Sequence, residues 1–165
     1  MGGYRKRCTL RLRSSSFENQ GTIPEKFTCK GANISPELFW EDAPKETKYF
    51  VLILHDPDAP GTDGFTHWLL YDIPRNVNHI RENLPKNALV AQSGLQGTND
   101  AGGLGYTGPC PPSGKHRYFA RLYALRQELD LPPGATAHQV TAALDGKVIE
   151  QAELLATYGG TEDRK

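Results

Sequence analysis

The stretch HDPDAPGTDGFTHWLL, residues 55–70, gathers side chains that could do chemistry. It holds two histidines and three aspartates between two apolar runs: His55, Asp56, Asp58, Asp63 and His67. Two prolines fix φ in this turn and hold the carboxylates at set angles. Three kinds of site use such residues: a metal cluster, a catalytic acid/base pair, and a rigid pocket for a small polar ligand.

The spacing of these residues argues against a metal centre and against nucleophilic catalysis. HDPD contains neither a helical HxxxH pattern nor the aspartate ladder of a calcium loop, and each proline redirects the chain between neighbouring ligands. No GxSxG elbow presents a serine, so a phosphoester hydrolase using Asp56 and His67 as acid and base would lack a nucleophile. The glycine-rich residues 97–108 match no nucleotide-binding motif. The residues therefore argue against a metal centre, a nucleophilic hydrolase and a nucleotide-binding fold.

A second polar group lies about fifty residues further along, in HRYFARLYAL, residues 116–125. The period-2 alternation of a strand puts His116 and Tyr118 on one face with Ala120 and Leu122. Histidine, tyrosine and backbone N–H groups donate hydrogen bonds to phosphate oxygens, and a fixed aspartate such as Asp56 can orient a histidine. Each residue alone is most simply a core or turn residue. Their common position at strand ends beside proline-rich loops favours a pocket for a small anion or zwitterion.

Short alternating segments between 17 glycines and 12 prolines predict an antiparallel β protein. We predict an edge strand over Thr9–Arg13 and a central strand, covered on both faces, over Tyr49–Leu54. A strand over His67–Ile73 follows in the same sheet. The last two strands are expected over His116–Leu125 and Gln151–Tyr158.

One helix and one long loop complete the pattern. Thr136 and Gln139 form a capping box, and Gly146 is placed to end a short, peripheral helix. The segment Ser93–Gly114 has no periodicity, and loops of that length are usually functional or disordered. Its glycine-rich first part could be mobile, whereas GPCPPSG at 108–114 must be stiff and suggests the rim of a preformed site.

The bulk properties exclude several classes of protein. A chain of 165 residues fits a single domain, 1–165, and its formal net charge of zero gives no global attraction to nucleic acid or anionic lipid. No apolar run is long enough to span a membrane. The N-terminal segment is basic but lacks the apolar run of a secretory signal, so we expect a cytoplasmic protein.

Three cysteines occur, Cys8, Cys29 and Cys110, without paired metal-ligand spacing. Reduced thiols are the favoured expectation in a reducing cytosol. A bridge between Cys29 and Cys110 stays open.

Several motifs together resemble the phosphatidylethanolamine-binding protein family, most closely its prokaryotic, Raf-kinase-inhibitor-like branch. They are DPDAP, THW and GPCPPSGKHRYFARLYAL, with IPEKFTCKGANISPELFWEDAP at 23–44 and GKVIEQAELLATYG near the end. The likeness runs from about Phe17 to Tyr158. It implies a mostly β fold, in which a large antiparallel Greek-key sheet packs on a smaller one, with few peripheral helices.

The resemblance also implies a ligand pocket for phosphate-type anions and phospholipid head groups, usually in a homodimer. Asp58 would brace the turn and Phe65 would form an aromatic wall. The family pattern needs no metal or organic cofactor, and it implies no enzymatic turnover. The resemblance maps the ligand-binding walls onto Asp56, Pro60, His67, Pro111, Pro112, His116 and Tyr118. The rival interpretation is a protein-interaction module that inhibits a protease or kinase through an exposed loop at 93–107.

His55 is a departure from the family pattern, since many members have an acid there. Either His55 makes the rim of the pocket more basic, or it points to the opposite face of the sheet. Strand alternation favours the second alternative. Asp63 is expected only to keep the loop solvated, without a role in the site.

Overall fold

The computed structural model describes residues 9–111 and 114–159. In these residues the chain forms ten strands, one α-helix and a single 3-10 turn at Glu25–Phe27. The strands, β1 to β10 in chain order, are Arg11–Arg13, Gly21–Thr22, Leu38–Glu41, Tyr49–Asp56, Phe65–Pro74, His79–Ile80, Leu89–Val90, Gly94–Gln96, Lys115–Leu125 and Val148–Gly159; the helix, α1, is Ala137–Ala143.

Two sheets confirm the predicted mostly β architecture. The large sheet has the strand order β2-β10-β9-β4-β5-β8-β7, and the small one has the order β1-β3-β6. Neighbouring strands are antiparallel except for β2 and β10, which pair in parallel. β1 lies at an edge and β4 at the centre of its sheet, as the sequence predicted.

The central strand β4 separates two hydrophobic cores. Phe50, Leu52 and Leu54 point into the core between the two sheets. Val51 and Ile53 point to the other face, into a second core that α1 and the 129–135 segment cover. A continuous apolar run was therefore the correct signal for a strand buried on both faces.

The helix begins as predicted. Thr136 is its N-cap, and its backbone N–H donates to the side chain of Gln139 at 3.0 Å, while the Gln139 N–H donates back to the Thr136 hydroxyl at 3.3 Å. Val140 is fully buried in the second core. No helix of the described residues is long and apolar enough to cross a membrane.

Residues 93–111 of the aperiodic segment are more ordered than their sequence predicts. Gly94–Gln96 forms β8, which pairs with β5. Buried Gln96 accepts a hydrogen bond from the Trp68 indole N–H at 2.8 Å and donates to the Pro85 carbonyl at 2.8 Å. Further along, the Tyr106 hydroxyl donates to the Phe27 carbonyl at 2.7 Å. The glycine-rich part of this segment is thus held by long-range hydrogen bonds that no local sequence pattern reveals.

Candidate functional site

A cavity of about 210 Å³ lies at one end of the large sheet. Because β4 is antiparallel to β5 and β9, its C-terminal end lies beside the N-terminal ends of both. The cavity is therefore lined by residues from three neighbouring strands and the turn after β4. It brings together seven of the residues singled out in the sequence: Asp56, Pro60, Phe65, His67, Pro111, His116 and Tyr118. Pro112 lies outside the described residues.

Asp56 is the buried acid of the cavity, with 2% of its surface exposed. Its Oδ2 lies 2.7 Å from Nδ1 of His116. Its Oδ1 accepts the backbone N–H of Asp58 at 2.8 Å, which closes the turn after β4. Both carboxylate oxygens are occupied, so Asp56 fixes the His116 ring and the turn at the same time.

His67 reaches the cavity through an irregularity in the pairing of β5 with β4. Leu54 pairs with Trp68 and His55 with Thr66, so His67 is an extra residue without a partner on β4. Such a bulge re-aims a side chain. As a result, His67 lies on the same side of the sheet as the adjacent Trp68, whereas regular alternation would place them on opposite sides.

The ring of His67 is fixed by the chain that crosses it. Its Nδ1 lies 2.7 Å from the Thr107 carbonyl oxygen, which can only accept, so Nδ1 carries the proton. Burial lowers the pKa of His67 below its ordinary value, although the Thr107 carbonyl and the charge of Asp56 oppose this shift. The free ring is therefore neutral near pH 7.

Aromatic rings form one wall of the cavity. The His67 ring centroid lies 4.7 Å from that of Phe65 and 5.4 Å from that of Tyr118. The His116 ring stacks on Tyr118 with centroids 6.3 Å apart. Burial, with the charges of Asp56 and Asp58, raises the pKa of Tyr118, so its hydroxyl keeps its proton and can donate.

Asp58 lies outside the cavity lining, in a supporting position. Its carboxylate accepts three hydrogen bonds from Arg117, one from the backbone N–H at 2.8 Å and two from the guanidinium at 2.9 Å. These bonds lower the pKa of Asp58 to about 2. The expected brace therefore exists, and it joins the turn to β9, close to His116.

The segment after Tyr106 closes the cavity and contributes residues that the sequence analysis missed. The Thr107 carbonyl fixes the His67 ring, and the Thr107 backbone N–H donates to the His67 carbonyl at 3.0 Å. Gly108 packs so closely that a Cβ there would collide with the Phe27 carbonyl oxygen. Backbone contributions of this kind leave no side-chain signature. Only the stiff GPCPPSG stretch pointed to this region.

The cysteines correct an expectation. Cys29 and Cys110 form a disulfide with their Cα atoms 5.4 Å apart, instead of the reduced thiols that the sequence favoured. Cys110 lines the cavity, and the backbone N–H of Cys29 donates to the Pro109 carbonyl at 3.1 Å. The bridge therefore attaches the closing segment to the loop after the 3-10 turn. Spacing could not reveal the pairing, because the two residues are 81 positions apart.

The remaining polar residues of the 55–70 stretch point elsewhere. His55 pairs in register with Phe119 on the opposite face, and its Nδ1 lies 3.0 Å from the Thr66 hydroxyl. The alternation argument for His55 is confirmed. Asp63 is exposed, as expected. Within residues 9–111 and 114–159, no group of three or more histidine, cysteine, aspartate or glutamate side chains could hold a metal ion.

Comparison with known proteins identifies the family and the fold of this chain. The family model of phosphatidylethanolamine-binding proteins matches residues 13–159, which include all strands of both sheets except part of β1. The chain belongs to the phosphatidylethanolamine-binding protein family.

Proteins named UPF0098 protein are among its relatives. The one from Methanothermobacter thermautotrophicus is 46% identical over 90% of this chain and 98% of its own length. The one from Aquifex aeolicus is 50% identical over 88% and 85%.

Two solved structures of this family have the same fold. A phosphatidylethanolamine-binding protein homologue from Chlamydia trachomatis superposes with a TM-score of 0.84 at 37% identity, over 95% of this chain and all of that one. YbcL of Escherichia coli, described as a member of the mammalian family, gives 0.83 at 27% identity over 92% and 99%. The chain is accordingly a binding protein of this family's type.

Proposed function

We propose that the cavity binds phosphate or the phosphorylated head group of a small molecule or phospholipid. The observation that carries this proposal is the convergence of His67, His116 and Tyr118 on one cavity, with Asp56 fixing one of the two imidazoles. The family membership supports a binding role. The cavity of about 210 Å³ suits a compact head group.

Protonation of the histidines governs the proposed binding. The Nδ1 atoms are occupied, so an imidazole donates to an anion through Nε2, and this requires the protonated ring. Burial lowers the pKa of His67, and the neutral ring therefore predominates in the free protein at pH 7. An anion stabilises the protonated ring, so binding takes up protons and strengthens as the pH falls.

We expect the affinity for phosphate and for phosphoethanolamine to rise from pH 8 to pH 6, around the ordinary histidine pKa of about 6.5. His116→Ala should weaken binding at pH 6 by about tenfold or more, because one charge-assisted hydrogen bond is lost. Isothermal titration calorimetry on the full chain at pH 6, 7 and 8 measures both effects. His55→Ala is the matched control, since His55 faces away from the cavity. Equal affinities for the parent and His116→Ala would contradict the proposal.

The rival functions stay predictions. An interaction module would act through the 93–107 segment, in which residues 100–103 form the exposed tip. Replacing that tip should abolish its function, whereas His67→Ala should be tolerated. A phosphoester hydrolase would pair Asp56 with His67, yet Asp56 bonds His116 instead. Turnover abolished by Asp56→Asn would favour the hydrolase. The expected homodimer also remains a prediction.

A further inference from the structure

The disulfide between Cys29 and Cys110 lies at the surface, although the residue before each cysteine is buried. Thr28 and Pro109, which directly precede the two cysteines, are both buried. Cys29 and Cys110 themselves are exposed. Each loop therefore turns its cysteine outward, where a dissolved thiol can reach the bridge while the protein is folded.

This exposure determines how the disulfide reacts. Thiol–disulfide exchange begins when a thiolate attacks one of the two sulfurs, and its rate depends on access to that sulfur. A disulfide enclosed in a core is reached only after the protein unfolds, whereas an exposed one is attacked directly. Exposed disulfides are for this reason the labile and regulatory ones. The bridge between Cys29 and Cys110 belongs to the exposed class.

The same bridge fastens one wall of the cavity, which Cys110 and Pro111 line. Pro109 and Pro111 have no N–H group, so within residues 109–111 only Cys110 can donate a backbone hydrogen bond. The disulfide holds this stretch to the loop that contains Cys29, together with the bond from the Cys29 N–H to the Pro109 carbonyl at 3.1 Å. Opening the disulfide removes the covalent part of this attachment.

The residues before this stretch stay attached when the bridge opens. The Tyr106 hydroxyl donates to the Phe27 carbonyl at 2.7 Å, and the Gly108 N–H donates to the Asn33 side chain at 2.8 Å. Neither bond involves a sulfur atom. Opening the bridge therefore loosens residues 109–111 and leaves Gly108 in place.

We propose that the disulfide between Cys29 and Cys110 is a thiol–disulfide exchange site, which small thiols open in the folded protein. Its redox state then determines how firmly residues 109–111 are held at the cavity wall. This role is separate from the proposed function, because it needs no ligand in the cavity.

The exchange converts two small thiols and the bridge into one small disulfide and two cysteine thiols. In the first step a thiolate bonds to one cysteine sulfur and the bond between the cysteine sulfurs breaks. The other cysteine leaves as a thiolate and takes a proton from water. A second thiolate then attacks the mixed disulfide and releases the remaining cysteine, which is protonated in the same way. A small disulfide such as glutathione disulfide drives the reverse reaction.

Reduction of the folded protein tests whether the bridge is directly accessible. The full chain is used with Cys8→Ser, which leaves Cys29 and Cys110 as the two cysteines of the sequence. Dithiothreitol is added with and without about 1 M urea, well below unfolding, and the thiols formed are alkylated and counted by mass spectrometry. Direct attack should give equal rates in both solutions. Glutathione disulfide should then restore the bridge without unfolding.

Reduction that requires unfolding has a different signature. Urea lowers the free energy of unfolding in proportion to its concentration, so about 1 M urea would accelerate such a reaction about fivefold or more. That acceleration would overturn the exchange site. Failure of glutathione disulfide to restore the bridge in the folded protein would also overturn it.

Backbone dynamics test the effect on the cavity wall. In the oxidised protein, ¹⁵N relaxation should give order parameters near 0.85 for the amides of Cys29, Gly108 and Cys110, the value of a rigid backbone. After reduction the Cys110 amide should fall below about 0.6, as in flexible segments, while the Gly108 amide stays near 0.85. Relaxation reports the folded state itself, so a change in global stability does not alter it.

The double variant Cys29→Ser, Cys110→Ser is the matched control. Residue 110 of this variant should show the order parameter of the reduced parent, with or without dithiothreitol. An order parameter at residue 110 that is the same in the oxidised parent, the reduced parent and the double variant would overturn the control of the cavity wall by the bridge.

Discussion

At the scale of single residues, the cavity depends on where two imidazole protons are held. Asp56 holds the Nδ1 proton of His116, and the Thr107 carbonyl holds that of His67. The acceptor for His116 is the Asp56 side chain, which a substitution can change, whereas the acceptor for His67 is a backbone carbonyl. The orientation of His116 can therefore be changed by substitution while His67 serves as an internal reference.

Asp56→Asn should allow His116 to adopt both neutral tautomers, without changing the tautomer of His67. At pH 8 the parent is expected to show a protonated Nδ1 and an unprotonated Nε2 for both rings, because both acceptors fix Nδ1–H. In the variant the asparagine amide can turn its N–H₂ group toward His116, so that Nδ1 and Nε2 both become partly protonated. The ¹⁵N chemical shifts of the ring nitrogens measure this. A parent spectrum with Nε2 protonated in either ring would contradict the structure.

At the scale of elements, the cavity is assembled from the ends of three adjacent strands and the segment that closes them. β4 and β9 are held at this end by the pair between Asp58 and Arg117, which ties the turn after β4 to the first residues of β9. His116 directly precedes Arg117, so this tie lies next to the cavity. The bond pattern is bidentate and includes the backbone, which makes it stronger than an ordinary exposed ion pair.

Asp58→Asn should lower the free energy of unfolding by about 1 kcal/mol at pH 7, a modest value because solvent screens this exposed pair. The folded-state pKa of about 2 lies below the unfolded value, so the stabilisation is present above pH 4 and is lost as the pH falls through 2. Urea unfolding from pH 7 to pH 2 should show the difference between parent and variant shrinking over that range. Asp63→Asn, in the exposed part of the same loop, is the control. A difference that stays constant with pH would exclude the ion pair as its cause.

At the scale of the whole molecule, the disulfide between Cys29 and Cys110 links two segments that are far apart in the sequence. It joins the loop after the 3-10 turn to the segment that closes the cavity, across 81 residues of sequence. Cross-linking so long a loop restricts the unfolded chain strongly. Neither the two hydrophobic cores nor the sheet pairing depends directly on it, because both sulfurs lie in loops.

The double variant Cys29→Ser, Cys110→Ser should lose about 2–4 kcal/mol of unfolding free energy and keep the fold. Urea unfolding under non-reducing conditions measures the loss. Dithiothreitol should lower the stability of the parent toward that of the double variant and should not affect the variant itself. A parent that is insensitive to the reductant and as stable as the variant would mean that the bridge does not form.

The sequence by itself determined much of the architecture. Two-sided burial of β4 followed from an unbroken apolar run, the start of α1 from its capping box, and the faces of β9 and of His55 from alternation. These features are encoded locally, since a side chain's direction along a regular strand or helix depends only on its neighbours. The motifs around Asp56, His67 and His116 also carried the resemblance to the family.

Only the tertiary structure shows that His67 and the adjacent Trp68 lie on the same side of the sheet, because the bulge that allows this depends on how β5 pairs with β4. Only the tertiary structure likewise shows strand β8, whose three residues are held through Gln96, and the disulfide between Cys29 and Cys110. Each depends on contacts between residues far apart in the chain. The backbone acceptor at Thr107, which fixes one of the two imidazoles, has no side-chain signal at all.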